Sequence, residues 1–378
     1  MATTNKIQFV DTDADAIVTG LVNRYESLTG KKLQPGQIET LEFNSVAYRI
    51  SLLLNQVNET ANSCLIAFAT GVALEALAEL MGVTRLPASP AQCTVRFDLV
   101  AGHGDLIIDK GIRIQSIDGL VVFTTLEDTT ALTADTYKDV VCECTKTGVV
   151  GNGYVLDRIN ILLDPRPYIT YAANIDTTAG GNDEESDEAL RTRVRLAPSV
   201  FSVAGPDDAY KFWALSAHPS IADVAVTIGH ELTAPYAIIP GQVDIFPLIR
   251  NNGVLTTPIR DAIFAACNAE KRRPLTDTVI IKDPVQVDYT IEVELTIFDD
   301  AVSATELAAC TAAMEAYRDE RKDKLGIDAV RTQLIAAAKT TGTYSLNLIE
   351  PAADVVVGKS SFTNCTGITV TVVGTHDR

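Results

Sequence analysis

Basic charge is scarce in this sequence: 31 Lys and Arg stand against 49 Asp and Glu, for a formal net charge of −18. That balance argues against nucleic acid as a partner, because duplex binding rests on Lys and Arg neutralising phosphates. It argues equally against attraction to an anionic membrane surface. Long apolar runs are missing as well. Residues 64–81 (CLIAFATGVALEALAELM) come closest, but the run is short and Glu75 and Glu79 interrupt it, so no membrane insertion is expected. The first residues have neither the basic start nor the apolar core of a signal peptide, which leads us to expect synthesis in the cytoplasm.

Reactive side chains are equally sparse. Seven cysteines, odd in number and scattered, form no disulfide framework and no zinc pattern. Cys142 and Cys144 are two apart, hence on one face of a strand, and are expected to be reduced core residues. The four histidines (His103, His218, His230, His376) are too isolated for a ligand set, and His230-Glu231 has no second His four residues on. No Gly-x-Ser-x-Gly elbow occurs. Gly358-Lys359-Ser360 has the tail of a phosphate-binding loop, but its first glycine would fall on Ala353. We therefore expect no catalytic residue, no metal and no cofactor: the chain is read as a non-enzyme.

What the sequence does have is apolar residues, 47% of 378. That length suggests several units of roughly 100–150 residues. So much apolar surface is either core or interface, and permanent interfaces resemble a core cut in half. Residues 41–62 contain no Pro or Gly, and Phe43, Val46, Ile50, Leu53 and Val57 repeat at spacings of 3 and 4. That is a heptad seam, expected to bundle with other helices. Leu41, Tyr48, Leu52 and Leu54 widen the apolar surface beyond one stripe. A second helix is expected over 63–81, stopped by Gly82.

Residues 92–175 change to short β-branched runs between Gly- and Asp-rich turns. GGNDEESDEALRTRVRL (180–196) then looks like a hinge and a helix start, with Asn182 and Glu185 at capping-box spacing. Its carboxylates Asp183, Glu184, Glu185, Asp187 and Glu188 precede Arg191, Arg193 and Arg195, an order that suits a helix dipole better than a metal or glycosidase site. Ser303 and Glu306 suggest another capping box. Residues 207–249 and 327–373 share a faint order of elements, helix then strands. The expected class is α+β: an N-terminal helical arm (1–88), a small antiparallel β-rich domain (89–180) and two mixed α/β domains (181–275 and 276–378).

Several blocks, in order, resemble the baseplate J-like family of contractile phage tails and injection systems. GVALEALAELMGVTR (71–85) resembles its Leu-Gly-x-x-Arg helix end, IDKGIRIQSIDGLVVFTT (108–125) its Gly-rich strand segment, and GVVGNGY (148–154) its Gly-x-x-Gly-Asn turn. GGNDEESDEALRTRV (180–194) is the most specific match, through Gly180, Gly181, Asp183, Glu185, Ser186, Asp187, Leu190, Arg191 and Arg193. HPSIADVAV, GQVDIF and RRPLTDTVIIKDP follow, so the likeness covers about residues 40–373. Asn182 stands where relatives often carry Thr, and the loop at 230–241 is particular to this chain.

The resemblance implies a structural wedge subunit that rings a central hub in a virion tail baseplate, assembled in the bacterial host cytoplasm. Its partners would be other wedge subunits and further copies of itself, with the hub and sheath reached indirectly, and the ring would rearrange when the sheath fires. Arg272 and Arg273 form a basic spot in an acidic chain and are candidates for docking an acidic neighbour. The alternative is a peripheral tail protein that binds a host-surface glycan through the β-rich domain. That would need exposed aromatics, whereas most of Phe97, Phe123, Tyr137, Tyr154, Tyr168 and Tyr171 are expected in the core.

Overall fold

A computed structural model describes residues 6–201, 205–230, 238–269, 274 and 276–377. The chain divides into two compact units, residues 1–85 with 186–195, and residues 86–185 with 196–378.

The first unit is helical. α1 (Ala14–Thr29) packs antiparallel on α2 (Ile38–Ser63) through a loop containing Gly30, whose φ of +71° only a residue tolerant of the left-handed region accepts. α2 lacks Pro and Gly, so its ladder runs 26 residues unbroken. Residues 63–81 do not form one helix. α2 ends at Ser63, residues 64–70 make turns, and α3 spans only Gly71–Leu80 before Gly82 turns left-handed at φ +70°. α4 (Asp187–Leu196) completes this unit.

The second unit begins with eight strands: β1 (Pro90–Leu99), β2 (Leu106–Ile108), β3 (Arg113–Ser116), β4 (Val122–Thr125), β5 (Thr129–Ala131), β6 (Tyr137–Thr147), β7 (Ile159–Leu162) and β8 (Ile169–Asn174). Six of them run β7-β3-β4-β6-β1-β8 in one antiparallel sheet that nearly closes into a barrel, with β2 and β5 paired beside it. Strict alternation along β1 turns Ala91, Cys93, Val95, Phe97 and Leu99 inward, where they meet Ile114, Phe123, Cys142 and Cys144. Burial pushes the Cys142 thiol up to about 12 and the Cys93 thiol higher still, so both stay protonated.

Two three-stranded layers follow. α5 (Asp207–Leu215) and α6 (Thr257–Cys267) bury Tyr210, Trp213 and Ile263 with Ile245 of a sheet made from β9 (Ile221–His230), β10 (Ile238–Ile249) and β11 (Thr278–Ile281). β10 is central, antiparallel to β9 and parallel to β11. In the last layer β12 (Val285–Phe298) is central, antiparallel to β13 (Thr343–Glu350) and parallel to β14 (Ser361–His376). Its inward residues Ile291, Val293, Leu295 and Ile297 pack under α7 (Ser303–Arg321) and α8 (Arg331–Ala338). These observations make the fold α+β.

The repeat suggested by sequence does not survive as a common topology. β9 and β10 pair directly, whereas β12 lies between β13 and β14, and residues 354–358 supply one isolated bridge instead of a strand. The shared feature is a central strand with one antiparallel and one parallel neighbour. Nor is Ser303 a cap: Val302 holds the cap position, and Glu306 instead accepts the Thr340 hydroxyl.

Acid should loosen the barrel. Hydrogen bonds from Arg113 hold the Asp164 carboxyl down at about 2, and Arg96 lowers Asp139. A depressed folded pKa contributes stability above the unfolded value of about 3.9, and that contribution is lost as pH falls towards 2. We expect the unfolding midpoint to drop between pH 5 and 2, with a shallower slope in Arg113→Gln; calorimetry across that range checks it.

Candidate functional site

α2 carries the seam, and the structure divides it. α2 turns about 100° per residue. Phe43, Ala47, Ile50 and Leu54 therefore lie on one side, where Ala47 is fully buried and the other three are half-buried. Phe43 meets Tyr25 of α1 edge-on, with ring centroids 5.5 Å apart. Beside that strip, an extended N-terminal segment lies along α2, held by polar side chains. Asn62 both accepts from and donates to the Ile7 backbone, Asn58 accepts from the Phe9 and Val10 N–H groups and donates to the Val10 carbonyl, and Ser51 donates to the Thr12 carbonyl. Val46, Leu53 and Val57, the other seam positions, stay outside, with exposures of 47%, 62% and 49%. Across the helix, Leu41, Tyr48 and Leu52 are exposed too. No residue of α1 is fully buried.

The block at 180–194 is built from two sets of contacts. Within the second unit, Gly181 N–H donates to Asn152 Oδ1 (2.9 Å) and Asn152 Nδ2 returns a bond to the Gly181 carbonyl (2.7 Å), so two motifs thirty residues apart lock together. A Cβ on Gly181 would lie 2.5 Å from the Gly148 carbonyl oxygen and 3.0 Å from Ala91 N. Gly180 holds φ +88° beside it. Asp183 accepts from Val149 N, and buried Glu185 accepts from Leu86 N (3.0 Å) while its own N–H bonds the Leu86 carbonyl. Gly181→Ala therefore forces backbone apart, and we expect overpacking to cost about 1–3 kcal/mol, read as a fall in the thermal midpoint of the full chain.

The capping-box expectation at Asn182 and Glu185 is corrected by the same geometry. Asn182 pairs with Ser89 as a β-bridge, and the helix starts only at Asp187, where Ser186 Oγ accepts from Ala189 N (3.4 Å).

Within the first unit, α4 acts as a clamp. Asp187 accepts from the Gly71 N–H at the start of α3 (3.0 Å) and from Arg85 (2.6 Å), whose Nε also reaches Glu75. These bonds hold the Asp187 carboxyl below the usual range. Arg191, buried, donates Nε to the Ile66 carbonyl and Nη2 to the Ala69 carbonyl, each at 2.7 Å, and pairs with Glu188. Arg193, also buried, donates to the Thr84 carbonyl (2.6 Å). The loop between α2 and α3 thus has two of its carbonyls satisfied by the Arg191 guanidinium, while Arg193 serves one beyond α3. Of the three arginines whose order suits the helix dipole, Arg195 alone is exposed. Leu190, just ahead of these arginines in sequence, is fully buried.

Arg272 and Arg273 lie outside the described residues. Of the barrel aromatics only Phe97 and Phe123 are fully buried; Tyr137, Tyr168 and Tyr171 are exposed, contrary to expectation. Tyr137 and Tyr171 flank Asp98 in one row across β6, β1 and β8, and Arg96 stacks 4.1 Å over the Tyr137 ring. His103 is held by the carbonyls of Gly104 and Asp135, and no group of three or more His, Cys, Asp or Glu among the described residues is placed to hold a metal.

Comparison with known proteins agrees block by block. Family models for the baseplate J-like N-terminal domain, barrel domain, central domain and C-terminal domain match residues 40–92, 94–181, 202–283 and 289–371. The baseplate protein J of Escherichia phage P2 is 31% identical over 194 residues, 51% of this chain and 61% of that protein. A cryo-EM structure of the anti-feeding prophage baseplate aligns over 94% of this chain and 90% of that one, at 12% identity and a TM-score of 0.40, too low for anything here to rest on it. From its glycine–asparagine lock to its C-terminal layer, the chain belongs to the baseplate J-like family.

Proposed function

We propose that the chain is a structural wedge subunit of a contractile-tail baseplate in the virion, assembled in the host cytoplasm and acting through interfaces, not catalysis. The observation that carries this is the arm: a 26-residue helix with Val46, Leu53 and Val57 on one exposed stripe and Leu41, Tyr48 and Leu52 on another. A helix apolar on several sides buries them against several neighbours. In this reading the arm joins helices of other wedge subunits, while the barrel and the two C-terminal layers meet neighbouring copies around the hub. The ring then has two packings of similar free energy, and host contact biases it towards the one that releases the sheath. We further propose folding units near 1–88, 89–180, 181–275 and 276–378, with α4 lent to the first. Arg272 and Arg273 would dock an acidic neighbour. The test is complementation of a tail lacking this subunit, with baseplate incorporation as the readout.

A second reading, glycan binding by the barrel, is supported by the exposed Tyr137–Asp98–Tyr171 row. Saturable binding of a host glycan by the full chain, lost in Tyr171→Ala, would support it; tails that adsorb normally with that variant would remove it.

A further inference from the structure

Cations are rare in this chain, yet three of them line one small cavity in the second unit. The last turn of α7 contributes Arg318 and Arg321, Lys322 follows, and Tyr289, Thr363, Asn364 and Cys365 come from β12 and β14. Asn251 closes the cavity from the neighbouring layer, its N–H donating to Asp323 Oδ1 (2.8 Å). The volume is about 320 Å³, and no Asp or Glu is among the lining residues.

The charges there are only partly answered. Arg318 Nε bonds Asp319 (2.8 Å) and Arg321 Nη1 reaches Glu320 (3.4 Å), but both carboxylates are 58% exposed and so neutralise weakly. The Arg321 guanidinium stacks 3.5 Å over the Tyr317 ring and gives Nη2 to Gln333, while its buried Nε has no partner. The Lys322 ammonium makes no hydrogen bond or ion pair among the described residues, its backbone N–H alone donating to the Arg318 carbonyl. Cations near a helix C-terminus offset its dipole. That accounts for their place in the sequence, but not for a cavity of ligand size with no carboxylate in its lining or for an unsatisfied buried guanidinium N–H, which costs free energy unless something accepts from it.

We propose that this cavity binds a tetrahedral, phosphate-type oxyanion. Three cationic groups suit a dianion better than a single carboxylate, and forked guanidinium donors match its oxygens. The ligand would tie α7 to β14 and to the loop at Asn251, stiffening the last two layers against each other.

The test is calorimetric titration of the full chain with inorganic phosphate near pH 7.5, chloride holding ionic strength constant. Saturable one-to-one binding is expected, weakened at least about tenfold in Arg318→Gln/Lys322→Gln. Lys322→Gln alone, at an exposed site, should weaken binding while leaving the unfolding midpoint in chloride unchanged. Absence of saturable binding, or binding unaltered in both variants, would overturn the assignment. So would glutarate binding as tightly as phosphate, since a carboxylate would then suffice.

Discussion

Leu53→Asp with Val57→Asp should give a chain that folds and yet never enters a baseplate. Both side chains are about half exposed or more in the isolated subunit, so each replacement costs the fold little beyond the lower helix propensity of Asp, up to about 0.7 kcal/mol per site. In a packed bundle the same two carboxylates would be desolvated without a partner, at about 3–5 kcal/mol for one uncompensated charge. Incorporation should fall at least about a hundredfold while circular dichroism stays that of the wild type. Ile50→Asp is the wrong probe, because Ile50 is half-buried on the strip facing α1 and its loss would confuse folding with assembly. Normal tails carrying the folded double variant would sink the bundle reading and leave family membership untouched.

Arg191→Ala should be the most damaging single change in the helical unit. The guanidinium group serves two carbonyls of the turn at 64–70. Removing it leaves them facing a buried void, at about 1–3 kcal/mol for each unsatisfied group, or roughly 2–6 kcal/mol together. Arg191→Lys should recover part of this, since an ammonium can reach one carbonyl but lacks the fork to span both. Hydrogen exchange read at residues 64–70 and 187–196 distinguishes local opening from global unfolding. A variant with wild-type protection in both segments would remove the clamp from the account.

Local signals were legible in sequence where the periodicity was local. The alternation of CTVRFDLV announced β1, the two-residue spacing of Cys142 and Cys144 placed both inside, and the unbroken run at 41–62 announced α2. What sequence could not display was pairing over distance. Asn182 has cap spacing, but the bridge to Ser89 claims its backbone and delays the helix. Residues 64–70 look like continuous helix because the group that stabilises their turn, Arg191, sits more than a hundred residues away. The order of charges suggested a helix dipole for Arg191 and Arg193, but their carbonyl partners, far off in sequence, could not be read from it. The Gly-Asn and Gly-Gly motifs were each visible, but their mutual lock was not. The seam at Phe43–Val57 was found as one stripe, and only the fold divides it between the strip facing α1 and open surface.

The order in which the ribosome delivers these pieces has its own consequence. Residues 1–85 emerge before the barrel, but α4, which closes their unit, is made only after the whole barrel has been translated. At about 5–20 residues per second, a hundred or so residues amount to roughly 5–20 s. During that interval the barrel can fold while the nascent helices lack their arginine clamp. The helical unit is therefore completed only once the barrel has been made. In the proposed bundle reading, an arm completed this late has less time to associate prematurely on the polysome, where neighbouring nascent copies are densely crowded.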